Sequence, residues 1–261
     1  MSATRLQRRD FLRVSLAAGG GLLIGFRSLA SASSSTSAAP TAPEDDVFAP
    51  NAWVRISTAG AVTVMINKAE MGQGVSTALA MVLAEELDAD WKTVGFEFAP
   101  AAPEYGDPVY QLQMVGGSTS VKHMYEPLRA AGAMARALLV QAAAAQWGVG
   151  AGECSTESGA VVHAASERRA SYGDLASAAA KLEAPADVKL KDPANFKRIG
   201  VSTRRLDTPD KSRGVAKFAI DIELPGMLTA LVAHPPTFGG RAKAISDAAA
   251  LAVPGVVKVV D

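Results

Sequence analysis

Apolar residues in the first half of the chain follow the periods of strands and helices. Trp53–Ile56 alternates and Ala61–Ile66 is an apolar run, so the two segments predict a β-hairpin. Apolar residues at helical spacing predict a helix over Val75–Leu87, and Val94–Phe98 alternates like a further strand. A longer, Ala-rich helix is predicted over Pro127–Trp147, with proline in its first turn. The pattern therefore predicts a mixture of helices and sheet.

The stretch Lys68–Thr77, here called the first loop, joins the second predicted strand to the first predicted helix. Gly72 and Gly74 flank Gln73 in this loop. Because glycine has no side chain, the backbone can approach a ligand closely and direct free N–H groups at it. The Gln73 carboxamide adds a donor and an acceptor. These features suit a polar, anionic cofactor, although such a pattern taken alone is more often an ordinary strand–helix turn.

A second glycine-rich segment, here called the second loop, precedes the long Ala-rich helix. Gly116 and Gly117 are followed by Ser118, Thr119 and Ser120. Bare backbone amides and short hydroxyl groups are again placed together, as in loops that bind anions. A plain Gly/Ser turn is the alternative. Two such loops, each leading into an apolar helix, favour a binding role over two chance turns.

Composition limits the class of protein. The chain has 261 residues, 49% of them apolar, and its 26 basic and 26 acidic residues balance. With no basic stripe, a nucleic-acid-binding role is not expected. The single cysteine, Cys154, excludes an internal disulfide framework and a multi-cysteine iron–sulfur site, and it is predicted to be a structural thiol. Any iron–sulfur centre in this system is therefore expected on another polypeptide.

Two further groups of polar residues are expected to have no metal-binding role. The histidines, which are far apart in sequence and lack ligand spacing, are interpreted as surface or packing residues. Glu85, Glu86 and Asp88 lie at the end of the first predicted helix. They are interpreted as a solvated helix surface.

The N-terminus is predicted to be an export signal. Arg8-Arg9 is followed by an apolar run over Val14–Phe26 and by Ala30-Ser31-Ala32. This order is typical of a twin-arginine signal peptide over residues 1–32, with a flexible linker over 33–50. It predicts a periplasmic protein exported after folding, or a membrane-anchored one if the signal is not cleaved. The apolar run is short for a permanent transmembrane helix.

An ordered set of motifs resembles the large molybdopterin-binding subunit of the xanthine oxidase/aldehyde oxidase family, in particular the isoquinoline 1-oxidoreductase β-subunit type. The motifs are Glu70–Gly74, Ala84–Leu87, Gly116–Ser120 and Leu128–Ala133. The resemblance extends from Trp53 onward. It implies an α/β (α+β) fold, with part of a molybdopterin-binding domain followed by an incomplete α/β hammerhead domain.

The resemblance also implies roles for both loops. Gly72, Gln73 and Gly74 would hold the pterin cofactor, with the Gln73 amide near the molybdenum but not ligating it. The second loop, Gly116–Ser120, would contact the pterin or its phosphates through backbone amides and hydroxyls. One departure is Val115, where the family usually has threonine, so a side-chain hydroxyl contact there is missing.

The second half of the chain is expected to complete one domain and begin another. The molybdopterin-binding part is predicted over 51–184, a charged linker over 185–204 and a truncated hammerhead domain over 205–261. Within the last, strands are predicted at Ala216–Ile220 and Gly255–Val260, with a short helix at Ser246–Leu251. A hairpin is predicted from Gly159–His163 and Arg168–Tyr172, followed by a helix from about Asp174.

The activity implied by the resemblance is that of a molybdenum hydroxylase that oxidises an aldehyde or N-heterocycle with water as oxygen donor. Its cofactors would be molybdenum–molybdopterin cytosine dinucleotide and [2Fe–2S] clusters on a separate small iron–sulfur protein, with a cytochrome c as a further possible partner. The family's catalytic glutamate lies in a Gly-x-Gly-Glu segment that this sequence lacks. The chain is therefore expected to be an N-terminal portion, produced by truncation, gene splitting or frameshift. A non-catalytic remnant or cofactor-binding module is the alternative; a periplasmic binding protein without redox role has no support beyond the leader.

Overall fold

The computed structural model describes residues 13–14, 22–25, 52–185 and 187–260. The remainder of the predicted export signal and linker lies outside these residues. The chain divides into two units, one up to Ala216 and one from Lys217 onward. The domain boundaries predicted at 184 and 204 stay predictions.

The first unit contains a sheet of five strands in chain order. The strands are β1 (Arg13–Val14), β2 (Leu22–Gly25), β3 (Ala52–Ile56), β4 (Val62–Ile66) and β5 (Val94–Phe98). All neighbours are antiparallel except β4 and β5, which are parallel. The predicted β3–β4 hairpin is confirmed. Alternate residues of β4 are fully buried, which is why its sequence shows the two-residue period.

Helices α1 (Val75–Leu87) and α2 (Thr119–Trp147) form the centre of the core. Gly132 of α2 permits their close approach, since a Cβ there would lie 2.5 Å from the Leu83 carbonyl oxygen of α1. The predicted bounds of α1 are confirmed. The two helices therefore share an apolar interface that positions the loops at their N-termini.

The predicted start of α2 at Pro127 was wrong, because the helix begins eight residues earlier, at Thr119. Pro127 removes one backbone hydrogen bond from the helix. Its fixed φ is nevertheless close to the helical value, so the helix continues through it. Continuation to Thr119 brings the N-terminus of α2 directly onto the second loop.

A second sheet is a three-stranded antiparallel meander. Its strands are β6 (Ser155–Glu157), β7 (Ala160–His163) and β8 (Arg168–Ser171). Helix α3 (Tyr172–Ala179) follows, so the predicted hairpin and the helix after it are confirmed. The buried Tyr172 hydroxyl donates to the Leu87 carbonyl at 2.5 Å, and this bond joins α3 to the end of α1.

The interpretation of Glu85 and Glu86 as a solvated surface was wrong, since both are buried. Glu85 accepts hydrogen bonds from three consecutive backbone N–H groups, those of residues 197–199. Burial alone would raise the pKa of the Glu85 carboxyl, but these N–H groups hold it below its usual value. Glu86 accepts from Arg129 Nε at 2.7 Å and from the Lys191 backbone at 3.0 Å. The two carboxylates thus fasten the predicted linker to α1 and α2.

The first unit continues through α4 (Thr208–Arg213), and the second unit contains α5 (Ala248–Leu251). The helix predicted at 246–251 is confirmed in part as α5. The predicted strands at 216–220 and 255–260 were wrong: among the described residues of this unit none forms a strand. A strand needs a hydrogen-bonded neighbour, and these residues have none within the described chain. Their apolar side chains stay exposed, as at Ile220 (92%) and Val260 (71%).

None of the helices among the described residues is both long and apolar enough to span a bilayer.

Candidate functional site

The first loop is closed by the carboxylate of its own Glu70. Glu70 Oε1 accepts from the backbone N–H of Gly72 at 2.8 Å and of Gly74 at 2.9 Å. Its Oε2 accepts from the Ser76 N–H at 3.1 Å and the Ser76 hydroxyl at 3.0 Å. The N–H groups expected to be free for a ligand are therefore engaged within the protein. Glu70 occupies the position at the N-terminus of α1 that an anion would take.

The electrostatics of this arrangement favour a charged Glu70. Burial alone would raise the pKa of the Glu70 carboxyl, but hydrogen bonds from Gly74, Ser76 and Gly72 lower it to about 2. The two glycines are required by the backbone, because φ is +102° at Gly72 and +83° at Gly74.

Gln73 lies exposed at the tip of the first loop, between the two glycines. Its Oε1 accepts from the Met71 N–H at 2.5 Å, and its Nε2 donates to the Ala69 carbonyl at 2.9 Å. The carboxamide thus helps to hold the loop's shape while remaining accessible. A ligand that engages both ends of Gln73 has to replace these two local hydrogen bonds.

The second loop has its amides open. Gly117 and Ser118 have φ of +60° and +56° and are exposed, with Ser118 directly before the first residue of α2. The Thr119 hydroxyl donates to the Gly116 carbonyl at 2.8 Å, and no side chain among residues 52–185 and 187–260 caps the helix. Within the described part of the chain, nothing accepts from the backbone N–H groups of Gly117 and Ser118. A non-glycine residue at positive φ costs about 1 kcal/mol, so the loop is held in this conformation by its surroundings.

A charge cluster, Lys68–Asp107–His123, joins the two loops. Lys68 Nζ lies 2.5 Å from Asp107 Oδ2, and both side chains are fully buried. The same ammonium donates to the Met114 carbonyl at 3.2 Å, two residues before the second loop. His123, in the second turn of α2, has Nδ1 at 2.9 Å from Asp107 Oδ1. Since a carboxylate only accepts, Nδ1 carries the proton.

The cluster fixes the distance between the loops through one carboxylate. Burial alone would raise the pKa of the Asp107 carboxyl, but hydrogen bonds from Lys68, from two backbone N–H groups and from His123 hold it well below its usual range. His123 is thus a partly buried packing partner of Asp107. The described residues contain no group of three or more His, Cys, Asp or Glu side chains arranged for a metal ion.

Sequence reasoning missed Arg205 as a partner of the first loop. Arg205 Nη1 donates to the Gly72 carbonyl and Nη2 to Glu70 Oε1, both at 3.0 Å. Arg205 and Glu70 are 135 residues apart, so no local pattern could pair them. The Lys68–Asp107 pair was missed for the same reason.

The chain matches the family model described as molybdopterin cofactor-binding domain over residues 16–220, which include both loops and Arg205. This match covers most of the chain, and the chain belongs to that family. The resemblance seen in the sequence motifs is confirmed.

Among curated proteins, the chain is 35% identical to the beta subunit of isoquinoline 1-oxidoreductase of Brevundimonas diminuta, over 97% of the chain and 36% of that protein. It is 34% identical to the membrane-bound aldehyde dehydrogenase [pyrroloquinoline-quinone] of Gluconacetobacter polyoxogenes, over 97% of the chain and 32% of that protein. A nicotinate dehydrogenase component of Pseudomonas putida is 29% identical over 80% of the chain and 18% of that protein. The chain thus spans about a third of the length of the first two relatives.

Among solved structures, quinoline 2-oxidoreductase from Pseudomonas putida 86 is similar to 48% of the chain, at 22% identity and a TM-score of 0.38, with 15% of its own chain covered. The CO dehydrogenase of Oligotropha carboxidovorans is similar to 55% of the chain, at 22% identity and a TM-score of 0.40, with 18% of its own chain covered. At these TM-scores the two structures support no conclusion about this chain, and the family assignment rests on sequence similarity.

Proposed function

We propose that this chain supplies two cofactor-holding loops to a molybdenum hydroxylase that oxidises an aldehyde or an N-heterocycle with water as the oxygen donor. The observation that carries the proposal is the match to the molybdopterin cofactor-binding model over a range that contains both loops. The open backbone amides at Gly117 and Ser118 supply the donors that an anionic pterin cofactor needs.

The two loops have different roles in this proposal. The second loop donates from the N–H groups of Gly117 and Ser118 and from the Ser118 hydroxyl to phosphate or pterin oxygens. The N-terminus of the 29-residue helix α2 adds a favourable potential for negative charge. In the first loop Gly72 and Gly74 allow close approach, and Gln73 presents its carboxamide toward the metal end of the cofactor. The hydrogen bond from the Thr119 hydroxyl to the Gly116 carbonyl holds the shape of the second loop.

The bound molybdenum centre would supply two-electron oxidation of substrate carbon with an oxygen atom from water. Within this chain no residue is assigned as the base that such chemistry requires. The base belongs, in this proposal, to a segment outside these 261 residues. The [2Fe–2S] clusters that would carry electrons away belong to a separate small iron–sulfur protein, and a cytochrome c is the proposed acceptor beyond them. Cys154 alone cannot hold a cluster, which supports this division.

The substrate class is supported by the names of the relatives. Isoquinoline and nicotinate are N-heterocycles, and the remaining relative is named as an aldehyde dehydrogenase. That last name also includes pyrroloquinoline quinone, a different redox cofactor. The match to the molybdopterin cofactor-binding model supports a pterin cofactor. We propose the cytosine dinucleotide form because the sequence resemblance implies it.

The proposed location is the periplasm, reached by twin-arginine export. Arg8-Arg9 and the apolar run after it support this route. Replacement of Arg8-Arg9 by Lys-Lys should leave the protein in the cytoplasm, measured by cell fractionation and immunoblotting. Unaltered export of the Lys-Lys variant would show that the leader was misinterpreted.

The activity is tested with the complex purified from its native host through a tag on this chain. Aldehydes and N-heterocycles are offered in ¹⁸O-labelled water under an inert atmosphere with an artificial electron acceptor. The expected result is a carboxylate or hydroxylated heterocycle that carries ¹⁸O, detected by mass spectrometry. The absence of turnover with both substrate classes would contradict the proposal and favour a non-catalytic remnant.

A further inference from the structure

The tip of the first loop has little packing around it. A Cβ added at Gly72 would meet nothing within 4 Å, and one at Gly74 would meet only Arg205 Cζ at 3.9 Å. Both glycines have positive φ and wide conformational freedom. The conformation of this loop therefore depends on hydrogen bonds rather than on packing. A hydrogen bond donated from another part of the chain should contribute strongly to it.

Arg205 provides that external bond from the segment that precedes α4. Its Nη1 donates to the Gly72 carbonyl at 3.0 Å, and its Nη2 donates to Glu70 Oε1 at 3.0 Å. Among the described residues, the side-chain hydrogen bonds that reach residues 70–74 from outside the loop all come from Arg205. The guanidinium thus contacts both the carboxylate that closes the loop and the backbone at its tip.

The position of Arg205 is itself fixed. Asp207 accepts from Arg205 Nε at 3.0 Å and Nη2 at 2.9 Å, and Lys211 Nζ lies 2.6 Å from the same carboxylate. The Leu206 backbone N–H donates to Thr77 Oγ1 at 3.0 Å, which holds this segment against the first turn of α1. The planar guanidinium of arginine is needed here because it donates at once to Asp207, to the Gly72 carbonyl and to Glu70.

We propose that Arg205 is a positioning residue that fixes the first loop through Glu70 and Gly72, and so presents Gln73 to the cofactor. The proposal rests on the proposed function for the identity of the ligand, whereas the ordering of the loop stands on the geometry alone. Asp207 and Lys211 orient the guanidinium. None of these three residues is assigned a contact with the substrate.

The first test measures amide hydrogen exchange by mass spectrometry on the full 261-residue chain. In Arg205→Ala, peptides that cover residues 69–77 should exchange about tenfold faster, while peptides from β6 to β8 stay unchanged. Arg205→Lys keeps the charge but not the fork and should recover only part of the protection. Arg213→Ala is the matched control, because Arg213 forms an exposed pair with Asp210 in the neighbouring helix. Equal exchange in wild type and Arg205→Ala would overturn the proposal.

Glu70→Gln is the second variant, should Arg205→Ala fail to fold. It preserves the size of the side chain but removes the charge that pairs with Arg205. Its NH₂ group would also face the N–H of Ser76 or Gly72, which are both donors, so one hydrogen bond is lost. It should also raise exchange over residues 69–77. Unchanged exchange in this variant would equally overturn the proposal.

The last measurement separates loop ordering from cofactor binding. Molybdenum per chain in the purified complex should fall severalfold in Arg205→Ala and stay at the wild-type level in Arg213→Ala. Wild-type molybdenum content in Arg205→Ala would contradict the positioning role toward the cofactor. If wild-type protein holds no molybdenum, the proposed function fails, and the exchange experiment still decides whether Arg205 orders the loop.

Discussion

The two glycine-rich loops are alike in sequence and different in structure. Each joins an extended or irregular segment to a buried helix, and each has two glycines with polar neighbours. In the first loop the amides of Gly72 and Gly74 are bound by Glu70. In the second loop nothing in the described chain accepts from those of Gly117 and Ser118. A glycine-rich turn before a helix therefore does not establish that its amides are free.

If the proposed function holds, this difference places the two ends of the anionic cofactor at different loops. An acidic residue two positions before the first glycine has already filled the anion position at the N-terminus of α1. At the N-terminus of α2, no side chain among the described residues forms a capping hydrogen bond. In the proposed function, the phosphate end would therefore bind at the second loop, and Gln73 would make a neutral polar contact at the first.

The largest expected effect comes from breaking the buried pair that joins the loops. Asp107→Asn leaves the Lys68 ammonium buried without a counter-charge, and we expect a loss of about 3–5 kcal/mol in the free energy of unfolding. Urea denaturation measures this loss. The double variant Lys68→Met with Asp107→Leu should be less destabilised than Asp107→Asn, because no unpaired charge remains.

The control for this prediction is Glu97→Gln, which breaks a more exposed pair with Arg55. We expect that variant to lose no more than about 1 kcal/mol. An Asp107→Asn variant as stable as Glu97→Gln would contradict the role given to the buried pair.

The next effect is the pH dependence that Glu70 gives to the first loop. Its folded pKa of about 2 lies below the ordinary value of 4.5, so its stabilisation is fully present above about pH 4.5. It is lost as the pH falls from 4.5 toward 2, because the unfolded chain takes up the proton first. The difference in unfolding free energy between wild type and Glu70→Gln should therefore shrink by roughly 3 kcal/mol over that range.

Asp207 titrates in the same direction and has to be considered with Glu70. The hydrogen bond from Arg205, with the nearby Lys211, lowers the pKa of Asp207 to about 2. An Asp207→Asn background separates the two carboxylates. A difference between wild type and Glu70→Gln that stays constant from about pH 5 to about pH 2 would show that Glu70 is not held in its charged form by the loop.

The smallest effect on stability is expected for Ser118→Asp, which tests directly whether the two loops differ by the negative charge at the helix N-terminus. The new carboxylate would give the second loop the negative charge that Glu70 gives the first. We expect α2 to gain about 0.5 kcal/mol, because the charge lies at its N-terminus. Thermal unfolding measures this gain. The same carboxylate should repel the phosphate and lower the molybdenum content, whereas Ser118→Asn, of similar size and neutral, should retain more of it.

Much of the fold of residues 52–184 could be predicted from sequence. The β3–β4 hairpin, α1 and the β7–β8 hairpin follow local periods that residues such as Val62 and Leu79 show clearly. The start of α2 could not, because Pro127 obscures it. The strands predicted at 216–220 and 255–260 do not form among the described residues, because no partner strand pairs with them there. Local propensity predicts elements, but it does not establish what pairs with them.

The site was predictable in part for the same reason. Gly72, Gln73 and the Gly116–Ser120 motif are short, local signals, and they led to the correct family. The contacts that decide the state of the loops are long-range. Glu70 with Arg205 and Lys68 with Asp107 are 135 and 39 residues apart, and a single sequence contains no signal for such pairs.

The proposed function requires that this chain hold a molybdenum–pterin cofactor between two loops of unlike character. Its most direct test is the molybdenum content of the complex purified through this chain, by inductively coupled plasma mass spectrometry, with fluorescence of the oxidised pterin as a second signal. We expect about one molybdenum and one pterin per chain, because the family model matches one cofactor-binding domain here. A complex that contains neither molybdenum nor pterin, or that contains pyrroloquinoline quinone instead, would contradict it.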